Sequence, residues 1–199
     1  MISLGMALAL LVVAAPAVRA QQADPARGTV EALDDGLIAI MKGGKAAGLK
    51  GRAAAIAPVI DRAYDIPLMT RLSVGSSWAT IAPAEQAALV AAFRRMTITQ
   101  YAANFDGFSG QSFTIAPHVE ARGTDRLVRT TLNSPRGEPE ALAYRLRQSA
   151  GSWKIIDVFY RNSISQLATR RSDFARTLSA GGGKALVAHL NAQSAKAGG

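Results

Sequence analysis

The chain has 199 residues, 49% of them hydrophobic and 19% charged, with 23 Lys and Arg against 14 Asp and Glu for a formal net charge of +9. This length fits one domain with a real core, and the absence of cysteine excludes disulfide bracing. So basic a chain is drawn to anionic surfaces such as lipid headgroups or an acidic partner face, whereas no basic and aromatic stacking motif for nucleic acid is present.

Residues 1–20, MISLGMALALLVVAAPAVRA, form an apolar run that ends in the small-residue site Val18-Arg19-Ala20. They read as a secretory signal peptide cut after Ala20, which leaves residues 21–199 as a single domain and removes one positive charge. Export also argues against nucleic acid as a partner. No later segment is long and apolar enough to span a bilayer.

Residues 21–28 are polar and read as loose. From Thr29, Val30, Leu33, Leu37, Ile38 and Met41 recur at helical spacing until Gly43-Gly44 stops them. After a small-residue connection, residues 52–63 predict a second helix with Ile56, Val59 and Ile60 inward and Pro58 in its first turn or kinking it. In YDIPLMTRLSVGSSW, residues 64–78, Pro67 opens a short helix carrying Leu68, Met69 and Leu72, Gly75 ends it, and Trp78 is an apolar anchor just beyond.

Residues 83–103 predict a longer helix, with Pro83 at its first position and Glu85 complementing the dipole. Leu89, Phe93, Met96 and Tyr101 mark its buried stripe, and Arg94 and Arg95 face water. NFDGFSG, residues 104–110, breaks it. Four strand signals follow. Residues 112–122 set Phe113, Ile115, Val119 and Ala121 on one face. Residues 126–133 set Val128, Thr130 and Leu132 against Leu127, Arg129 and Thr131. Residues 141–148 set Leu142, Tyr144 and Leu146 against Ala143, Arg145 and Arg147.

The fourth strand, SWKIIDVFY, runs from residue 152 and feeds a helix in which Leu167, Phe174 and Leu178 share a stripe, with Arg170, Arg171 and Asp173 largely off it. Gly181-Gly182-Gly183 interrupts the chain before a last helix with Leu186, Val187 and Leu190 inward and His189 at the stripe's edge. Short turns between four strands make an antiparallel meander, so the class is α+β.

Few residues carry recognisable chemistry. The glycines before Lys184 lack the spacing and the Ser or Thr of a phosphate loop, and Gly75-Ser76-Ser77 has no nucleophile-elbow frame. His118 and His189 are the only histidines and have no ligand spacing, so no metal and no cofactor are expected. Asp157, with Tyr144 as a hydroxyl donor, is a candidate general base, against the structural reading of a carboxylate that bonds backbone amides or an arginine. Arg129, Arg145 and Arg147, joined by Lys154, form either a solvated sheet face or a docking surface for acidic headgroups or an acidic partner.

The run WKIIDVFYRNSISQLATRRSDF, with the order and spacing of YDIPLMTRLSVGSSW and PAEQAALVAAFRRMTITQY, resembles the MlaC/toluene-tolerance family of periplasmic lipid-binding proteins. ISQLATRRSDF is closest in character to its hopanoid-associated HpnM branch. The resemblance implies an NTF2-like fold, with helices over a curved, four-stranded antiparallel sheet and an apolar lipid cavity between. It also implies a periplasmic carrier, not an enzyme, that shuttles phospholipid or hopanoid between an inner-membrane transporter and an outer-membrane complex. On that reading the cavity is lined by Leu68, Met69, Leu72, Trp78, Leu89, Phe93, Met96, Tyr101, Phe113, Ile115, Val128, Leu142, Tyr144, Leu146, Leu167 and Phe174. Arg129, Arg145, Arg147 and Lys154 would meet the headgroup or a partner, and Gly75 and residues 104–110 are candidate hinges. Two alternatives are an NTF2-like enzyme acting on a hydrophobic small molecule through Asp157 and Tyr144, and a structural adaptor with a filled interior.

Overall fold

The computed structural model describes residues 24–198, so the expected signal peptide lies outside the described residues. Helix α1, Pro25–Gly43, starts four residues before its apolar pattern does, because Asp24 caps it by accepting the Ala26 N–H at 2.9 Å and Pro25 has the φ of a first helical position. Gly44, at φ 54, closes it. A 3-10 turn, Lys45–Ala47, leads into α2, Gly48–Ala63. Since α2 begins before Arg52, Pro58 lies in its interior and not in its first turn.

Helix α3, Ile66–Val74, is capped by Asp65, which accepts the Leu68 N–H at 3.0 Å, and is ended by Gly75 at φ 70. A second 3-10 turn, Gly75–Thr80, precedes α4, Pro83–Asn104. Arg52 is buried and ties three of these helices together, donating at 2.7 Å to the carbonyl of Ala102 in α4 and at 2.7 Å to that of Gly44 behind α1.

The sheet is antiparallel and has six strands: β1, Ser112–Ile115; β2, Glu120–Arg122; β3, Asp125–Ser134; β4, Gly137–Ser149; β5, Ser152–Tyr160; and β6, Ile164–Ser165. The order is β1-β3-β4-β5-β6, with β2 also on β3. The expected four become six for two reasons. The first breaks between Ala116 and Val119, around Pro117, which has no N–H to give to a ladder. A two-residue strand then adds itself to the edge of β5. After the break Ala121 is exposed, so the inward face of that segment holds only Phe113, Ile115 and Val119.

Register sets Val128 opposite Tyr144 and Tyr144 opposite Val158, and likewise Thr130 opposite Leu142 and Leu142 opposite Tyr160. This inner face carries the helices. Between Arg145 and Leu146 the register slips, leaving Ile156 as the extra residue of a bulge, which bends and twists a strand locally. Helix α5, Gln166–Gly198, leaves the sheet edge, packs along α4 and is broken by non-helical backbone at Gly181 and Gly182. Phe93 of α4 and Phe174 of α5 meet edge to face, with centroids 6.3 Å apart. The core between helices and sheet includes Leu33, Ile60, Leu89, Phe93, Leu146, Ile155 and Phe174.

Candidate functional site

The core does not fill the whole space under the helices. Between α4, the start of α5 and the inner face of β3, β4 and β5 lies an open pocket of about 1120 Å³. Its floor is buried and comprises Met41, Tyr64, Met69, Thr97 and Tyr144. Its half-buried walls add Tyr101, Phe105, Leu132, Leu142, Val158 and Tyr160 with the polar Gln100, Gln166 and Arg170. Its exposed rim includes Asn104 and Gly107 from the break after α4, Gly137 to Glu140 from the β3–β4 hairpin, and Arg161.

The tyrosines make the interior polar in places but not charged. Tyr64 and Tyr101 are hydrogen-bonded through their hydroxyls. Burial pushes the Tyr64 and Tyr144 hydroxyls well above the usual tyrosine pKa and that of Tyr101 up as well, so all three are neutral at physiological pH. Behind them, Asp34 of α1 is 4% exposed, and neither of its carboxyl oxygens has a hydrogen-bond partner among the described residues. Burial first, then the charges of Asp35 and Glu31, pushes its pKa up to about 8.

Arg170 puts a full positive charge on the walls. Its guanidinium carbon lies 5.0 Å from the Phe93 ring centroid and its Nη2 donates to Gln100 at 3.3 Å. No carboxylate among the described residues forms an ion pair with it, and burial lowers its pKa from the ordinary arginine value.

Of the sixteen residues expected to line a cavity, the pocket takes Met69, Tyr101, Leu142 and Tyr144. Leu89, Phe93, Met96, Val128, Leu146 and Phe174 are packed in the core and do not border it. Leu68, Leu72, Trp78, Phe113, Ile115 and Leu167 are half-buried away from it. Periodicity identifies an inward face, but not which inward residues meet another side chain and which meet space.

The four basic residues expected at a headgroup lie elsewhere and are engaged. Arg145 and Arg147 donate to Asp125 at 2.6 and 2.7 Å; although burial raises the carboxyl's pKa, these two arginines hold it below the usual range. Arg129 pairs with Glu120 at 3.3 Å, and Lys154 donates to the carbonyls of Asp61 and Arg62 at the end of α2. The pocket's rim is instead acidic, with Asp106, Glu138 and Glu140 against Arg161.

Asp157 and Tyr144 do not form a site. Register places Tyr144 beside Val158 and Arg145 beside Asp157, so the two side chains leave opposite faces of the sheet. Asp157 accepts the Ser165 hydroxyl at 2.6 Å, the Val158 N–H at 2.8 Å and the Leu167 N–H at 3.0 Å, and so serves the start of α5. His118 is exposed, His189 bonds Gln193 at 2.9 Å, and among the described residues no cluster of three or more His, Asp or Glu could hold a metal. Nor is any described helix long and apolar enough to cross a membrane.

Sequence reasoning missed Tyr64, Phe105, Val158, Tyr160, Asp34 and Arg170. The last two carried a signal. Arg170, expected largely off its stripe, lies three residues after Leu167 and four before Phe174 and turns inward to the pocket, and Asp34 lies four after Val30 and three before Leu37.

Helices laid over one face of a bulged antiparallel sheet, with an amphiphile-sized pocket between the layers, define an α+β binding fold. The chain belongs to the MlaC family: the family model described as MlaC protein matches residues 31–192. It is also similar to a solved structure, a phospholipid-binding protein from Ralstonia solanacearum in complex with a phospholipid. The likeness has a TM-score of 0.77 at 27% identity and covers 88% of this chain and 100% of that one. No curated protein matches the chain at a significant level.

Proposed function

We propose that this protein is a periplasmic lipid carrier that holds the apolar part of a phospholipid or hopanoid in the pocket and shuttles it between an inner-membrane transporter and the outer membrane. The observation that carries this reading is the pocket itself. At about 1120 Å³ it exceeds the roughly 300–1,000 Å³ of sites for drug-sized ligands. Its floor is closed by aromatic and aliphatic side chains, and its similar solved structure holds a phospholipid.

Transfer of an acyl chain into such a space is favourable by about 0.8 kcal/mol per methylene, so retention needs no reaction. Release needs the walls to part. The end of α4 and the break after it contribute Asn104, Phe105, Asp106 and Gly107 to the pocket and serve, with Gly75, as candidate hinges. An NTF2-like sheet geometry and assignment to the hopanoid-associated branch belong to the same reading, the latter resting on ISQLATRRSDF. Nothing in the site favours the enzyme alternative, because Asp157 is committed to the start of α5.

Mass spectrometry of organic extracts, from protein purified gently out of the periplasm, tests the proposal. Near-stoichiometric phospholipid or hopanoid is the expected result and chooses between the two ligand classes. An empty extract, repeated by native mass spectrometry, would move the reading to a structural adaptor.

A further inference from the structure

Burying a guanidinium without a carboxylate is unfavourable unless something else in the site completes it. Arg170, half-buried on the wall of the pocket, is partly desolvated with no carboxylate paired to it among the described residues. One face of its guanidinium lies over the Phe93 ring, and among the described residues one of its five N–H donors is used, on Gln100. Asp157 is a carboxylate whose charge acts on it, and both oxygens of that group are already taken by Ser165, Val158 and Leu167. Tyr64 and Tyr101, also close enough to act on it, are neutral.

The rim is arranged in the opposite sense. Asp106, Glu138 and Glu140 outnumber Arg161, so an anion lodged there would meet like charges. An anion drawn past them finds unused donors in surroundings where a charge-assisted hydrogen bond is strong.

We infer that Arg170 receives an anionic phosphate oxygen of the bound ligand inside the pocket, so that a phosphate-bearing lipid is preferred over a neutral one with the same chains. This rests on the carrier reading and deepens it. A lipid phosphodiester and inorganic phosphate offer the same oxygen chemistry, and the experiment separates them.

Wild type, Arg170→Gln and Arg170→Lys, each checked for an unchanged fold by circular dichroism and thermal melting, are titrated in maltoside with dioleoylphosphatidylglycerol and with dioleoylglycerol. Bound lipid is counted by native mass spectrometry. Arg170→Gln should weaken phosphatidylglycerol binding by about tenfold or more and leave dioleoylglycerol within about twofold, with Arg170→Lys in between. Equal loss for both lipids, or loss for neither, overturns the assignment while leaving the carrier intact. Wild type that binds neither lipid overturns the carrier reading and this inference with it. Inorganic phosphate that raises the melting temperature of wild type alone, with lipid preference unchanged in Arg170→Gln, would assign Arg170 to a free anion and overturn the lipid assignment.

Discussion

Asp34 occupies a position that the apolar pattern of α1 reserves for a hydrophobe, and it survives there as a neutral acid. Its pKa of about 8 means that the folded protein holds a proton which the unfolded chain, with an ordinary carboxyl near 3.8, gives up. Between those values each unit of rising pH therefore lowers stability, with a slope approaching about 1.4 kcal/mol per unit from this group alone. Below pH 4 both states are protonated and the effect vanishes. Asp34→Asn, which mimics the neutral form, should flatten that slope in denaturant titrations taken from pH 4 to 8 and be the more stable protein at pH 8. An unchanged slope would show that Asp34 is not held protonated. Asp34 lies on an apolar stripe, and so does Arg170, which was expected largely off it. Their roles were not legible in the sequence, because a charged residue on a stripe reads as solvated until the empty or buried space beside it is seen.

At the scale of elements, the passage from β5 to α5 was the most legible part of the chain, and of the two readings open for Asp157 its bonds to backbone amides match the structural one. The period change after Tyr160 marks the strand-to-helix switch, and the structure adds the short strand β6 between them. Ser165 accepts the Ala168 N–H at 3.0 Å as a helix cap, while Asp157, reaching from β5, takes the Leu167 N–H and the Ser165 hydroxyl. That arrangement is set by tertiary proximity, which spacing along one strand does not report. Asp157→Asn should cost about 1–2 kcal/mol of unfolding free energy by loss of charge-assisted capping bonds, with lipid retained per folded molecule unchanged. Lost lipid binding at full stability would return Asp157 to the site. The split of the first strand around Pro117 was readable from the proline itself, whereas the bulge at Ile156 has no marker in sequence and emerges only from pairing with β4.

For the whole molecule, net charge was a poor guide to where an anionic headgroup would go. The chain is strongly basic, yet the arginines of the sheet's outer face are paired with Asp125 and Glu120, and the opening to the pocket is acidic. The α+β class, the helix-over-sheet layering and the family all follow from patterns spread along the chain. The cavity does not, because it depends on a few inward residues having no neighbour. Only the fold shows that Phe93 and Phe174 close on each other while Tyr101 and Leu142 face space.

The central claim is that lipid chains enter the space between α4, α5 and the inner face of the sheet. The most direct measurement is a crystal structure of the protein loaded with a phospholipid brominated along its acyl chains, read by anomalous scattering. Bromine peaks in the pocket between Tyr101, Leu142 and Val158 are the result this account predicts. Peaks confined to the outer sheet face beside Arg129 and Arg145, or none within a well-ordered protein, would contradict it.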